Sequence, residues 1–281
     1  MTKTTAVLAQ RTVATSASFS GIALHTGNRV KLTVLPAPAD AGVRFRRVDL
    51  PGKPEVLAIV ANVVDTRRRT MIADGKAEVH TIEHLLAAAN ALGLDNLIVE
   101  MAGAEPPVGD GSAAPFVELL RSAGVMEQDA PRRFLEVRHP VYVEVGETRL
   151  VAVPDSCFRI SCVVKYNSTP LDCQYLSLEI NEDNFVRELA QARTFCLFHE
   201  IEALIKGNLI CGGSLDNAVV IKGDAILSKD GLRYPDEFVR HKIMDMVGDL
   251  FLLGRRLRGH VIAVKPGHPT NVELARRIAS Q

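Results

Sequence analysis

Val30, Leu32 and Val34 alternate with Lys31 and Thr33, the period-two mark of a strand with one buried face. A helix is predicted over residues 80–92, stopped by Gly93, and the apolar run Leu97–Met101 then reads as a strand. Residues 105–111 are dense in turn formers; Ser112 offers an N-cap and Pro115 an early position for a short helix ending before Gly124. Further strands are predicted at 141–145, 150–153 and 158–166, the last with Phe158, Ile160, Cys162, Val164 and Tyr166 on one face. Short helices near 185–190 and 198–205 and a strand at 218–221 lead to the longest helix, 236–257. Gly259 ends it, and 260–265 reads as a strand.

Residues 126–133 are polar and contain Pro131, which predicts a boundary between a first domain, 1–128, and a second, 131–281. The length of 281 residues agrees with roughly two domains of about 150 residues. Each half holds a helix, a glycine stop and an apolar strand, at 81–101 and 241–264. That repetition points to an internal structural duplication. Strands and helices mix without regular βαβ alternation, so the fold class expected is α+β.

Composition narrows the function. Lys plus Arg (33) equals Asp plus Glu (33), which argues against a globally basic surface held to nucleic acid or membrane. Tryptophan is absent and aromatics make up 5%, so base-stacking platforms are disfavoured. No apolar run approaches the roughly 18 residues of a spanning helix, and the longest, near Leu85 to Leu94, suits a core helix. The first 39 residues lack Asp and Glu, as transit peptides do, but strand signals already begin near Phe19. Ala6-Val7-Leu8-Ala9 is too short for a secretory core, so a cytoplasmic, unprocessed chain is expected. The five cysteines are odd in number, contain no CxxC and fall between 157 and 211, which disfavours disulfides and cysteine zinc sites. Any metal must then be held by His and carboxylates.

Two segments carry that chemistry. In His80-Thr81-Ile82-Glu83-His84, a helix would put His80 and His84 on one face, with Glu83 beside the second. The same string fits the H-x-x-E-H pattern of inverted zinc peptidases, and it also fits a polar helix start facing solvent. In Arg240 to Asp249, His241, Asp245 and Asp249 follow at i, i+4 and i+8, within an arc of about 80°. The opposite stripe, Val239, Ile243, Met246, Leu250, Leu253 and Leu257, is an ordinary core face. Lys265-Pro266-Gly267-His268 presents a turn imidazole, and Ala192-Arg193-Thr194-Phe195 a lone hydroxyl. Gly212-Gly213-Ser214 lacks P-loop spacing and reads as a turn. Combined, His84, His241 and Asp245 can supply three N/O ligands with a fourth position open to water. Glu83 can take a proton from that water, His268 oriented by Asp249 can protonate a leaving amine, and Thr194 can donate to an oxyanion.

With these residues stand Gly21-Ile22-Ala23-Leu24-His25-Thr26-Gly27, Thr81-Ile82-Glu83-His84-Leu85 and Asp110-Gly111-Ser112-Ala113-Ala114-Pro115-Phe116. The second half adds Ala192-Arg193-Thr194-Phe195, Gly212-Gly213-Ser214-Leu215-Asp216, Phe238-Val239-Arg240-His241-Lys242, Gly248-Asp249-Leu250 and Gly267-His268. In these motifs and their order the chain resembles the zinc-dependent UDP-3-O-acyl-N-acetylglucosamine deacetylase family of lipid A biosynthesis in Gram-negative bacteria. The resemblance implies two duplicated α+β domains with their helices packed together between the sheets. It implies zinc at His84, His241 and Asp245, Glu83 as base, and His268 as acid and electrostatic stabiliser partnered by Asp249. It also implies Thr194 at the oxyanion, Lys242 and Lys265 near the diphosphate and sugar, Phe195 beside them, and Met71 and Ile72 at the rim. The acyl passage would be built from an insert at 166–178. Iron(II) also suits a His₂Asp set.

Some positions depart from the family. His80 stands where members often have Ser, no His precedes Pro170, Cys173 lies in the insert, and Cys196 replaces a common Gly. Three readings follow. The first is a monomeric zinc amidohydrolase that removes acetate from a UDP-linked, 3-O-acylated glucosamine, with neither nucleic acid nor membrane insertion. The second is a metallopeptidase with His80 and His84 as paired ligands. The third is a sugar-nucleotide binding protein without turnover. Loss of metal on His80→Ala rather than His241→Ala marks the second; absence of acetate release marks the third.

Overall fold

The computed structural model of this chain describes residues 8–165, 173–207 and 209–281. The alternation at Val30, Leu32 and Val34 becomes a strand at the heart of a five-stranded sheet. That sheet contains β1 (Ala17–Ile22), β2 (Arg29–Leu35), β3 (Val43–Arg47), β4 (Glu55–Leu57) and β5 (Leu97–Met101), in the order β1-β2-β5-β3-β4. β2 and β5 are antiparallel, whereas β3 and β5 run parallel.

The second half repeats this plan. β6 (Val141–Val145), β7 (Thr148–Val153), β8 (Phe158–Val164), β9 (Gln174–Glu179) and β10 (Arg256–Val264) take the order β6-β7-β10-β8-β9. Again the last strand enters the middle, antiparallel to one neighbour and parallel to the other. The expected duplication is therefore visible as identical strand order. Leu32, Val34, Phe45, Val99 and Met101 of the first sheet, and Val143, Leu150, Ile160, Cys162, Val261 and Ala263 of the second, all point into one continuous apolar core.

Four helices fill the space between: α1 (Glu83–Ala91), α2 (Ala114–Ser122), α3 (Glu237–Phe251) and α4 (His268–Ala279). α1 and α3 pack directly on each other, α2 lies on α1, and α4 on α3. Their closest approach is made by Gly248, where a Cβ would sit 2.0 Å from the Glu83 carbonyl oxygen. Asn90 Nδ2 donates to the Val247 carbonyl at 3.1 Å across the same seam. From β10, Arg256 reaches the C-terminal end of α1, donating to the Asn90 carbonyl at 2.6 Å and the Leu94 carbonyl at 3.3 Å. Its guanidinium thus ties the second sheet to the end of α1 and the turn that follows it.

Several expectations need correction. The polar stretch 126–133, read as a boundary, overlaps a strand, Val125–Pro131, paired antiparallel with Ala9–Val13. Val125–Pro131 is largely exposed, so no apolar alternation marks it, and the buried positions of its partner include the polar Gln10 and Thr12. The longest helix stops at Phe251 rather than 257, and a turn at Gly254 (φ 68°) leads into β10. Near 185–190 a short helix, Glu182–Asn184, runs into a π turn, Phe185–Leu189. Residues 198–205 divide into a 3₁₀ turn, Phe198–Glu200, and a helix, Ile201–Lys206. The final helix, α4, was not among the predicted elements; Pro269 stands in its first turn, where proline is tolerated.

Candidate active site

α1 begins abruptly. Strand Ala77–His80 ends at His80, and Thr81 turns the chain through φ 58°. Glu83 and His84 are thus the first two helical residues, next to the orphan N–H groups and positive end of the helix dipole. His80 lies outside the helix, so no i, i+4 pairing with His84 exists. Its Nδ1 meets the Thr81 hydroxyl at 3.1 Å, and its ring faces His25 at 6.3 Å. The paired-ligand geometry of the peptidase reading is absent.

Across the seam, α3 carries His241 and Asp245. His84, His241 and Asp245 offer ligand atoms within 4.8 Å of one another, all buried. Asp245 Oδ1 lies 3.5 Å from His84 Nε2 and 3.4 Å from His241 Nε2. That oxygen is buried without a hydrogen-bond partner, a costly state for a carboxylate unless a cation completes it. His241 Nδ1 faces the Ala192 carbonyl at 3.1 Å, which assigns the proton to Nδ1 and leaves Nε2 free as an acceptor. Burial pushes the His241 pKa down to about 4 against the opposing charge of Asp245, so the ring is neutral, the ligand form. Burial opposes ionisation of Asp245, but the positive charge beside it, with Lys242 Nζ at 3.0 Å, outweighs burial and holds its carboxyl well below the usual range. The donor set fits a divalent cation with N/O preferences.

Beside the cluster lie the acid–base residues. Glu83 Oε2 accepts the Thr70 N–H at 3.2 Å, and Glu83 Oε1 stands 3.9 Å from His268 Nε2. Burial raises the Glu83 pKa, with His268 and His84 pulling the other way. His268 opens α4 and sets its Nδ1 2.8 Å from Asp249 Oδ2. Asp249 also accepts the Thr70 hydroxyl at 2.6 Å and Asn271 Nδ2 at 2.9 Å. Burial alone would lower the His268 pKa, but the charge and hydrogen bond of Asp249, with Glu83 and Asp245, raise it to about 9. Thr70 and Asn271 escaped the sequence reading. Asn271 follows His268 at i+3, a signal available only once α4 is recognised.

Glu83, His84, His241, Asp245 and His268 line one cleft of about 420 Å³, together with Leu24, His25, Arg67, Arg68, Thr194, Phe195 and Lys242. Thr194 is held at its wall because the buried Glu237 carboxylate takes the Arg193 N–H at 2.9 Å and Arg193 Nε at 2.8 Å. The Phe195 ring packs 6.0 Å from His241, and Lys242 Nζ stands 5.5 Å above it while donating to Asp245 Oδ2 at 3.0 Å. Leu24, Thr194 and Phe195 are shared with an adjoining apolar cavity of about 250 Å³, walled also by Ile201, Ile205, Ile210, Leu215 and Val220.

Other expected residues lie outside the lining of this cleft. Lys265 does not line the cleft; its Nζ donates to Glu147 at 2.5 Å, at the turn between β6 and β7. Met71 and Ile72 do not line it either. Alternation along Met71–Asp74 turns Ile72 fully into the core, and the rim is formed by Arg67 and Arg68. The apolar cavity is walled by Leu24 and by residues between 194 and 220. Of the expected insert, residues 166–172 lie outside the described residues.

Fold and site together define a class: a duplicated α+β protein with a His–His–Asp metal-type cluster and an acid–base pair at its internal seam. Comparison with known proteins makes this particular. The family model described as UDP-3-O-acyl N-acetylglycosamine deacetylase matches residues 10–280, and the chain belongs to that family. A UDP-3-O-acyl-N-acetylglucosamine deacetylase of Myxococcus xanthus is 44% identical over 271 residues, 96% of this chain and 86% of its own. Those of Teredinibacter turnerae and Pseudomonas entomophila are 43% and 42% identical, covering 97% and 98% of this chain and 90% and 91% of theirs. Among the described residues, no helix is long and apolar enough to cross a membrane.

Proposed function

We propose that the chain hydrolyses the acetamide of a UDP-linked, 3-O-acylated N-acetylglucosamine, releasing acetate and the free amine, in lipid A biosynthesis. The observation that carries this is the orphaned Asp245 oxygen between two imidazoles, in a cleft lined also by Glu83 and by His268, which Asp249 backs. His84, His241 and Asp245 would hold the ion, read as zinc because three N/O ligands leave one position open; iron(II) suits the same donors. When bound, the ion supplies Lewis-acid activation of water and of the acetamide carbonyl.

The chain's own residues do the rest. Glu83, oriented by the Thr70 N–H, takes a proton from the attacking water as oxygen bonds to the carbonyl carbon. Thr194 donates to the oxygen that gains charge. His268, cationic through neutrality and fixed by Asp249, gives its proton to the nitrogen as the C–N bond breaks. Lys242 offers a cation to the substrate's phosphates, and Phe195 an apolar wall. The adjoining apolar cavity takes the acyl chain. Residues 1–128 and 131–281 are the two units of the duplication in this reading, supported by their repeated strand order. A monomer in the cytoplasm completes it.

The experiment is acetate release from the UDP-linked acyl sugar by protein of measured metal content, before and after chelation. Activity that tracks one zinc per chain is expected. Turnover undiminished in metal-free protein, or none with the ion restored, would overturn the assignment; sedimentation velocity tests the monomer.

A further inference from the structure

His25 lines the cleft yet has no part in the chemistry above. It is 3% exposed, and its Nε2 is buried with no hydrogen-bond partner. Burial pushes its pKa down to about 4, with the Arg69 and His268 charges adding to the shift, so the ring is neutral. Its Nδ1 faces the Ile210 N–H at 3.4 Å and accepts from it, which puts the ring proton on Nε2. The result is a buried N–H donor with no partner among the described residues.

Its location is specific. Leu24, the preceding residue, walls both the cleft and the apolar cavity, and Ile210 walls the cavity. His25 therefore stands where the two spaces join. In the proposed substrate the acetamide and the acyl ester occupy neighbouring sugar carbons. With the acetamide at the metal-type cluster and the chain in the cavity, the ester must cross that junction.

The position is tightly held. Glu105, 1% exposed, accepts the His25 N–H at 3.0 and 3.1 Å, the Thr26 N–H at 3.0 Å and the Thr81 hydroxyl at 3.0 Å. One carboxylate thereby ties the His25 loop to the turn that launches Glu83 and His84. On the other side the Cys211 N–H donates to the His25 carbonyl at 3.2 Å and the Gly212 N–H to that of Leu24 at 2.9 Å. A Cβ on Gly212 would lie 2.2 Å from the Ala23 carbonyl oxygen, so this backbone contact admits no side chain.

We infer that His25 is a substrate-binding residue whose Nε2–H donates to the ester carbonyl oxygen of the 3-O-acyl linkage, with Glu105 as its positioning residue. The inference rests on the deacetylase reading. The experiment compares kcat/KM on the acyl substrate with that on its 3-O-alkyl ether analogue, which keeps the chain but lacks the carbonyl, alongside metal content and melting temperature. His25→Leu should lose about tenfold on the ester and little on the ether, and His25→Gln, which restores an N–H, should recover most of that loss. Glu105→Gln, which sets an amide NH₂ against N–H donors, should lower the ester-to-ether ratio through KM with metal content unchanged. It supplies the same readout where His25→Leu fails to fold. An unchanged ratio in the folded variants, or equal losses on both substrates, overturns the ester contact. Wild-type protein that deacetylates neither substrate overturns the reading beneath it.

Discussion

Replacing Gly248 by alanine sets two effects against each other. Within a helix alanine is favoured over glycine by about 0.8–1.0 kcal/mol. The added Cβ, however, would lie 2.0 Å from the Glu83 carbonyl oxygen, 2.8 Å from its carbon and 3.0 Å from its Cα. All three atoms are backbone, so no rotamer change relieves them, and ordinary contact requires α1 and α3 to part by more than about 1 Å. Overpacking of this kind costs about 1–3 kcal/mol, which exceeds the propensity gain and lowers the melting temperature by several degrees. The larger effect is local. His84 rides beside Glu83 on α1, whereas His241 and Asp245 ride on α3, so parting the helices opens the cluster itself. Ligand distances tolerate about 0.2 Å, and a 1 Å misplacement costs about a hundredfold in rate. The assay is metal per chain after gel filtration, with melting and kcat/KM on the acyl substrate. Gly52→Ala is the control: at φ 77° with nothing within 4 Å, it costs backbone strain of about 1–2 kcal/mol and leaves metal content alone. A Gly248→Ala protein with full metal content and kcat/KM within about threefold of wild type refutes the reasoning.

Four further outcomes follow from the same geometry. His268, raised to about 9, should give kcat/KM a basic limb near that value, and Asp249→Asn should bring the limb toward the ordinary 6.5 or below. Because the folded value exceeds the unfolded one, its stabilising contribution is full below pH 6.5 and is lost as pH rises through about 9; urea midpoints of wild type and His268→Gln should converge across that window. Glu83→Gln should lower kcat by about 10²–10⁴ with KM and metal content kept, and an unchanged kcat would remove Glu83 as base. Ala218→Phe, filling the apolar cavity, should raise KM about tenfold for a long acyl chain and hardly at all for a short one, as steady-state kinetics on both substrates will show.

Legibility followed burial. Strands with one buried face, such as Arg29–Leu35, announced themselves by alternation, whereas the largely exposed strand Val125–Pro131 showed only as a polar stretch. On α3 the polar stripe of His241, Asp245 and Asp249 stood out against an apolar helix, and all three proved buried. His80 misled because a five-residue string carries no record of the φ 58° turn at Thr81 that separates strand from helix. Lys265 misled because a charge reports nothing of its neighbour, here Glu147 from a distant turn. His25 and Glu105 lie 80 residues apart and join only through backbone N–H groups, which side-chain patterns do not encode.

The middle strand of each sheet is also its last, and this orders events during synthesis. Until β5 emerges, β1-β2 and β3-β4 are separate hairpins, and residue 101 joins them. In the second sheet β6-β7 and β8-β9 must wait for residues 256–264. α3, which bears two of the three cluster residues, directly precedes that strand. A ribosome-stalled chain ending before 256 should therefore carry a closed first sheet and no metal affinity, with ion capture arriving in the same step that completes the second sheet.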